Sequence, residues 1–304
     1  TLPRGFPPGF WRFALPTGLA SILGALALTR TEVFFLTWLS TPEAVGVFAL
    51  AFGLANHIFA PAEAMVGPLI PAVSGLHEVD RGALIAAFQR VLRASSVGIA
   101  LACAGGLPAL AILVPVLYGE EFAASAPLLL ALGAAAAVLT TGGPLSVFTM
   151  GRLSGSRLML ANGAALATDL VLALALIPVW DAWGAVVAIS AGALVRFLLL
   201  LGGEVRALGI PTGAVLRQLA PAIAAIPISV LVYVSLTELP LHAVAAAVLA
   251  PVLALGLLIL TLRTTRAGLT EADTAALTSS VPAPGARLVR PLLWAVTVNP
   301  RPSA

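Results

Sequence analysis

Residues 157–203 read RLMLANGAALATDLVLALALIPVWDAWGAVVAISAGALVRFLLLLGG, two apolar runs that a short turn separates. A helix that crosses about 30 Å of hydrocarbon needs about 20 apolar residues, and each run has that length. The turn from Pro178 to Trp183 combines a proline, an acidic residue and two tryptophans, which is typical of a chain that leaves the membrane and re-enters it. We therefore predict a helical hairpin with spans at 157–178 and 183–203.

The composition of the whole chain agrees with this hairpin. Hydrophobic residues make up 60% of the 304 residues and charged residues only 10%, whereas a soluble domain carries about 25% charged residues. Further apolar runs predict spans at 12–37, 44–68, 94–117, 123–148, 217–236 and 241–262. We therefore expect an all-α integral membrane protein with about eight transmembrane helices.

The charged residues separate into two sets when successive spans alternate in direction. One set of connecting segments holds Arg4, Arg12, Arg81, Arg90, Arg93, Arg152, Arg157, Arg206, Arg217, Arg263, Arg266, Arg287, Arg290 and Arg301. The other set holds Glu43, Glu120, Glu121, Asp181 and Glu238, and no arginine. Because arginine-rich loops remain in the cytoplasm, we predict a multi-pass protein of the plasma (inner) membrane with both termini in the cytoplasm.

Two of the predicted cytoplasmic segments carry further patterns. The apolar residues between Arg81 and Arg93 are spaced for a short helix that lies on the membrane interface. In the tail, residues 263–304, Thr270 and Asp273 are placed to cap a short helix. The end of the tail, residues 282–304, is rich in proline and is expected to be disordered.

Asp169 and Arg196 are ionisable residues inside the two arms of the hairpin. Such a residue costs roughly 2.5–3.5 kcal/mol on membrane insertion, so it needs a partner or a function. At 1.5 Å per residue the depths of the two residues differ by ~6 Å, a gap that an arginine side chain bridges. We predict an ion pair between them, which either fixes helix packing or takes part in substrate movement.

Arg30 and Glu32 are ionisable residues near the outer end of the first span. They are two residues apart, so on a helix they point to nearly opposite faces and pair poorly. Either their side chains reach the outer interface, as Trp38 close by allows, or they face a polar cavity.

Asn56, His57 and Glu63 give the second span a polar face. Asn56 and Glu63 are seven residues apart and therefore share one side of a helix, with His57 beside them. Prolines at 61, 68 and 71 interrupt this helix and its exit, which is tolerated where a wet cavity satisfies the freed carbonyls. This pattern favours a helix that lines a pathway; alternatively, Glu63 lies near the inner interface.

The sequence contains no motif of the common enzymes or metal sites. It has no HExxH, CxxC, Walker or GxSxG motif, and its one cysteine, Cys103, lies in an apolar run. We therefore expect no enzyme activity, no cofactor and no metal. The 16 basic residues are all arginines scattered between apolar runs, so no nucleic-acid partner is expected.

Four ordered stretches resemble the helix-end motifs of polysaccharide-biosynthesis flippases. Thr41–Leu50 resembles the motif spEevGlYalA at the start of one helix, and Pro68–Ser74 is similar to the vl.P.is exit of that helix. Leu117–Phe122 resembles the turn lyGeeF. The run alGr…n…P.yGa.GAA of the following hairpin is similar to Gly151-Arg152, Asn162, Asp169, Ile177-Pro178 and Gly184-Ala185. Order and spacing match over about residues 1–210.

These flippases belong to the multidrug/oligosaccharidyl-lipid/polysaccharide exporter superfamily, whose members have two six-helix lobes around a central cleft. They flip undecaprenyl-pyrophosphate-linked sugars across the inner membrane. The resemblance implies that 1–210 is the second six-helix lobe, 211–262 two further transmembrane helices and 263–304 a partly disordered cytoplasmic tail. It also implies that the chain is a fragment, the C-terminal half of a flippase whose N-terminal lobe is missing here.

The resemblance implies that the first two helices face the cleft and the lipid-linked oligosaccharide. The implied substrate-binding residues are Arg30, Glu32, Asn56, His57, Glu63 and Arg196. A buried arginine suits a pyrophosphate headgroup because it donates bidentate hydrogen bonds to it. Carboxylates nearby suit a coupling H⁺ or Na⁺, and Asp169 with Arg196 forms the implied ion-pair or coupling group.

Other functions stay open on the sequence alone. A drug/cation antiporter or a lipid II flippase belongs to the same superfamily. A membrane glycosyltransferase or polymerase is disfavoured, because such enzymes carry a large catalytic loop and the longest predicted loop here spans only 72–93. A non-transporting remnant or assembly partner is a further alternative.

Overall fold

The computed structural model describes residue 5 and residues 10–28, 31–64, 81–152, 154–280 and 290–298. Regular structure within these ranges is helical, apart from an isolated parallel bridge between Leu269 and Thr297. The helices are α1 (Phe10–Leu28), α2 (Thr31–Leu39), α3 (Pro42–Ala64), α4 (Arg81–Tyr118), α5 (Ser125–Gly151), α6 (Gly155–Leu208), α7 (Thr212–Thr237), α8 (Ala243–Thr265), α9 (Glu271–Ser280) and α10 (290–295), with a 3₁₀ turn at Glu120–Phe122. The all-α prediction is confirmed.

Six helices of the described ranges, α3 to α8, are long and apolar enough to cross a membrane. Many of their exposed side chains are large and apolar, as is typical of surfaces that contact lipid. Along α7 and α8 these exposed residues include Leu216, Ile223, Leu231, Val244, Val248, Val252 and Leu260. The chain is therefore a helical membrane protein, and the predicted number of eight spans stays a prediction.

The predicted hairpin is present, with its turn at Asp181. This residue has φ 47° and ψ −126°, so it divides α6 into a first arm, α6a (155–180), and a second arm, α6b (182–208). Gly184 then brings the arms together, because a Cβ there would lie 2.5 Å from the carbonyl of Leu176. Oγ of Ser40 donates a hydrogen bond to Oδ1 of Asp181 over 2.7 Å and ties the turn to the segment before α3.

Two predicted elements differ in the structure. The span predicted at 12–37 corresponds to two helices, α1 and α2. The segment 81–93 is no separate interfacial helix, because it continues without interruption into the next span as the first third of α4. Its residues are good helix formers without a Gly or Pro stop before the apolar run, so nothing ends the helix there.

The chain forms two compact units that alternate along the sequence. The first unit comprises Thr1–Leu50, Glu63–Leu84 and Val138–Gly209, and the second comprises Ala51–Ala62, Ile85–Ala137 and Ile210–Ala304. These ranges differ from the contiguous stretches 1–210 and 211–262, although one boundary falls at Gly209. The division into a six-helix lobe and two further helices stays a prediction.

Small residues permit close helix packing inside each unit. In the first unit α1 and α2 pack against α6, and a Cβ at Gly155 would collide with the hydroxyl of Thr17. In the second unit α7 packs against α8. There, a Cβ at Gly106 would lie 3.3 Å from the side chain of Ile58. Interfaces of this kind are typical of membrane helices, whose association depends on van der Waals contact.

The C-terminal tail begins with the predicted capped helix, α9. Thr270 and Asp273 form a reciprocal pair of hydrogen bonds. The amide of Asp273 donates to Oγ1 of Thr270, and the amide of Thr270 donates to Oδ2 of Asp273. Asp273 also accepts from Nε of Arg93 over 2.8 Å. Burial by itself would raise the pKa of Asp273, but the hydrogen bonds from Arg93 and Thr270 outweigh it and hold this pKa below its ordinary value.

The predicted disorder of 282–304 does not extend to 290–298. These residues form α10 and a bridge to Leu269, whose amide donates to the carbonyl of Val296 over 3.0 Å. The amide of Val298 donates back to the carbonyl of Leu269 over 2.8 Å. Proline content predicted disorder, but these bonds give the segment a partner that its own composition does not reveal.

The close approach of the hairpin arms predicts a specific sensitivity at Gly184. Gly184→Ala forces a methyl group into the backbone of α6a, and overpacking of this kind costs about 1–3 kcal/mol. We expect the midpoint of thermal unfolding in detergent, followed by circular dichroism, to fall by several degrees. The matched control is Gly202→Ala in the same arm, where a Cβ meets nothing within 4 Å. Equal midpoints for the two variants would contradict the packing.

Candidate functional site in the membrane-spanning helices

Two carboxyl groups lie side by side in the first unit. Glu32 is in the first turn of α2, and Asp169 is midway along α6a. The two residues are 1% and 2% exposed, and their carboxyl groups interact with each other. Oε1 of Glu32 and both carboxyl oxygens of Asp169 receive no hydrogen bond from a donor in the described ranges.

This carboxyl pair has a restricted chemistry. Ionised carboxylates only accept hydrogen bonds and repel each other, so two of them approach closely when a proton or a cation is shared between them. Water would compensate such a charge, but both residues are enclosed by apolar helices. The pair is therefore suited to take up and release a proton or a small cation.

The guanidinium of Arg196 on α6b joins four helices of the same unit. Its Nε donates to Oδ1 of Asn162 on α6a, and its Nη2 donates to Oγ of Ser146 on α5, each over 2.8 Å. Asn162 donates through Nδ2 to the carbonyl of Ala20 on α1 over 2.7 Å. The hydroxyl of Ser146 donates to the carbonyl of Gly142 over 3.2 Å. Nε and Nη2 of Arg196, Nδ2 of Asn162 and the hydroxyl of Ser146 thus each have an acceptor.

Two glycines provide the space for this network. A Cβ at Gly24 would lie 2.8 Å from Nδ2 of Asn162, and a Cβ at Gly142 would lie 3.3 Å from Nη1 of Arg196. A side chain at Gly24 would therefore displace the amide from the Ala20 carbonyl. At these two positions α1 and α5 thus approach the polar groups with backbone rather than with side chains.

The predicted ion pair between Asp169 and Arg196 is not formed as a direct contact. Asp169 accepts no hydrogen bond, and the guanidinium donates to Asn162 and Ser146 instead. Asn162 is seven residues before Asp169, hence on the same face of α6a but two turns away. Counting residues fixes the depth of the Arg196 Cα, whereas the direction of its long side chain depends on which acceptors surround it.

Asp169 and Arg196 nevertheless line one small cavity. Its volume is about 10 Å³, and its other walls are apolar side chains of α5 and α6 with Gly192. This volume is near the lower limit for a single water molecule. One water in this cavity has a carboxyl group and a guanidinium as its polar partners, which would couple the two groups without direct contact.

For two of the remaining predicted site residues no side chain is described, and the other two belong to the second unit. Arg30 lies outside the described residues, and Glu63 is in α3 with a side chain outside the description. Asn56 and His57 belong to the second unit and are exposed. Nδ1 of His57 donates to the carbonyl of Gly53 over 2.6 Å, so this ring nitrogen is bound within its own helix.

A second buried charged group, Glu204, was not among the predicted site residues. It is fully buried in α6b, and its carboxylate lies 3.3 Å from Nη1 of Arg152. Oγ1 of Thr149 donates to Oε1 of Glu204 over 3.0 Å. The sequence did contain a signal for Glu204, because it is an acidic residue close to Arg206 at the arginine-rich end of a predicted span. Ser146 gave no such signal, because serine is common in membrane helices.

No protein-family model, curated protein or solved structure matches this chain. The function proposed below therefore rests on the carboxyl pair, the arginine network and the resemblance of the helix-end motifs to those of flippases.

The arginine network predicts a cost for removing its central amide. Asn162→Ala leaves Nε of Arg196 without an acceptor inside the unit, and a lost bond to a charged group costs about 1–3 kcal/mol. We expect a lower midpoint of thermal unfolding in detergent. Asn56→Ala is the matched control, because Asn56 is exposed.

A second pair of variants tests the position of the Asn162 amide. Gly24→Ala should lower the midpoint, because a Cβ there would lie 2.8 Å from Nδ2 of Asn162. Gly18→Ala should leave the midpoint unchanged, because a Cβ there meets nothing within 4 Å.

Proposed function

We propose that this chain is a membrane transporter, the C-terminal half of a flippase that moves undecaprenyl-pyrophosphate-linked oligosaccharide for polysaccharide biosynthesis. The observation that carries the proposal is the buried Glu32–Asp169 pair, in which Oε1 of Glu32 and both carboxyl oxygens of Asp169 have no donor among the described residues, although Asp169 lies in a helix long enough to cross a membrane. Ionisable groups at this depth are costly, and in membrane proteins they are typical of substrate and ion pathways.

The carboxyl pair supports a transporter driven by an ion gradient. In the proposal, Glu32 and Asp169 bind the coupling proton or Na⁺ between α2 and α6a. Binding of the ion removes the repulsion between the carboxylates, and its release restores it. The stability of the packing of α2 against α6a then depends on the ion, which is the property that a coupled transporter needs.

Arg196 supports an anionic substrate. Its Nε and one Nη2 hydrogen are bonded to Asn162 and Ser146, and its Nη1 makes no hydrogen bond with the described residues. The bonded part fixes the orientation of the guanidinium, and the remaining donors suit phosphate oxygens. The sugar-lipid identity of the substrate rests on the resemblance to flippases, as does the proposed contact of Arg30 with the headgroup.

The positions of the charged residues on the helices support the proposed orientation. Arg152 follows the end of α5, Arg157 is in the first turn of α6a and Arg206 is in the last turn of α6b. Asp181 marks the opposite end of both arms. We therefore propose a plasma (inner) membrane location with the arginine ends, and both termini, in the cytoplasm.

A cation antiporter is the second candidate function. The observation that favours it is the same carboxyl pair, because acidic groups without donors bind cationic substrates as readily as coupling ions. In that case Glu32 and Asp169 contact the transported cation, and Arg196 only positions α6b.

Replacement of the charged groups separates these functions. In cells that express the gene with Arg196→Ala, we expect polysaccharide export to fall at least about tenfold, since a charge-assisted contact contributes about 1.5–3 kcal/mol. Glu32→Gln and Asp169→Asn should abolish the dependence of export on the proton or Na⁺ gradient. The control is Arg217→Ala, an exposed arginine of α7, which should export normally.

Two outcomes of the export assay would contradict the assignment of the site residues. Normal export from both Arg30→Ala and Arg196→Ala would exclude them as headgroup contacts. If Glu32→Gln and Asp169→Asn instead stop proton-driven efflux of an organic cation while polysaccharide export is unchanged, the antiporter is the correct function.

The proposed orientation is tested by labelling single cysteines. Glu121→Cys and Arg206→Cys replace exposed residues on opposite predicted sides. A membrane-impermeant maleimide should label Glu121→Cys in intact spheroplasts and Arg206→Cys only after permeabilisation. The native chain is the control, because Cys103 is buried. The reverse labelling pattern would overturn the orientation.

A further inference from the structure

The tail forms a groove beside the end of α8 that the transport proposal does not use. Its volume is about 760 Å³, within the range of small-molecule sites. The polar and aromatic groups on its walls include Arg263, Glu271, Thr274, Thr278, Arg290 and Trp294. They come from α8, α9 and α10, all within the second unit.

Hydrogen bonds fix these three helices to one another. Nε of Arg263 donates to the carbonyl of Ala295 over 3.1 Å, which connects α8 to α10. The hydroxyls of Thr274 and Thr297 lie 2.7 Å apart and connect α9 to the segment after α10. Asp273 holds α9 to Arg93 of α4. The groove is therefore formed by elements that are bonded to one another, and Arg263 is held by its bond to Ala295.

The groove lies at the boundary between membrane and water. Arg263 is in the last turn of α8, an apolar helix long enough to span. Leu260, three residues earlier and hence on the same side of α8, is 60% exposed. On α10, Trp294 is 66% exposed and Leu292 41%. Exposed tryptophan and leucine beside arginine are typical of the headgroup region of a bilayer.

The charges of the groove define the chemistry of its ligand. Two guanidinium groups face one carboxylate, that of Glu271. Arginine binds phosphate through parallel hydrogen bonds, whereas a carboxylate needs a hydroxyl or ammonium donor. A ligand that satisfies both carries a phosphate and, a short distance away, a hydrogen-bond donor.

We propose that this groove binds the headgroup of a membrane phospholipid. Arg263 and Arg290 hold the phosphate, and Glu271 accepts a hydrogen bond from the terminal hydroxyl or ammonium group. The acyl chains follow the apolar surface of α8 past Leu260. Glycerol and ethanolamine headgroups satisfy the groove, whereas choline has the phosphate but no hydrogen to donate to Glu271. The site is independent of the proposed transport function.

The proposal is tested by lipid binding to the full chain in detergent micelles, measured by native mass spectrometry. Phosphatidylglycerol, phosphatidylethanolamine and phosphatidylcholine are the three probes. We expect the first two to bind at least about fivefold more tightly than phosphatidylcholine. Arg263→Gln and Arg290→Gln should each weaken phosphatidylglycerol binding about tenfold, because each removes a charge-assisted contact. Glu271→Ala should remove the preference of phosphatidylethanolamine over phosphatidylcholine.

The control is Arg217→Gln, which removes an exposed arginine from α7 in the same unit. It should bind all three lipids as the native chain does. Arg263 also bonds to Ala295, so its replacement alters the tail; Arg290→Gln is the variant that decides. Equal binding of the three lipids, or an equal effect of Arg217→Gln and Arg290→Gln, would overturn the proposal. Displacement of the lipid by millimolar inorganic phosphate would also overturn it, because the site would then be one for free phosphate.

Discussion

Hydrocarbon offers no hydrogen-bond partner, and the rest of this structure depends on that constraint. Small hydroxyl side chains donate a hydrogen bond to the carbonyl four residues earlier in the same helix. Thr168 donates to Ala164 and Ser190 to Val186 in this way. A long side chain such as that of Arg196 reaches acceptors on neighbouring helices instead. The Glu32–Asp169 pair departs from this rule, because Oε1 of Glu32 and both carboxyl oxygens of Asp169 have no donor among the described residues. Packing must offset the cost of burying this pair, and the proposed ion binding would explain why such a costly group is retained.

Glycine has a matching role wherever a polar group has to approach a helix. At Gly24 and Gly142 the missing Cβ leaves space for an amide and a guanidinium, and at Gly184 it leaves space for another backbone. Close contact between helices and the satisfaction of polar groups are thus achieved by the same residue type. The small residues of these spans allow the helices to approach closely. Close approach stabilises the packing, since dispersion contacts rather than water exclusion hold helices together in lipid.

The features that the sequence predicted correctly are local. The hairpin of α6 followed from run length and from the residues around Asp181, and the cap of α9 followed from Thr270 and Asp273 being three residues apart. The contact of Glu32 with Asp169 could not be predicted in this way, since it depends on how α2 packs against α6. The acceptors of Arg196 were missed for a similar reason: residue spacing gives the depth of a Cα but not the direction of a flexible side chain. Order at 290–298 depends on a distant partner, Leu269.

The hairpin turn has a consequence for how the chain enters the bilayer. One residue with positive φ, Asp181, joins the two arms, so they leave the ribosome in quick succession and are available to insert as a pair. Asn162 is synthesised before Arg196, and the acceptor is therefore in place when the guanidinium arrives. The second arm alone would bring a bare charge into lipid, whereas the pair carries its own neutral ligand for that charge.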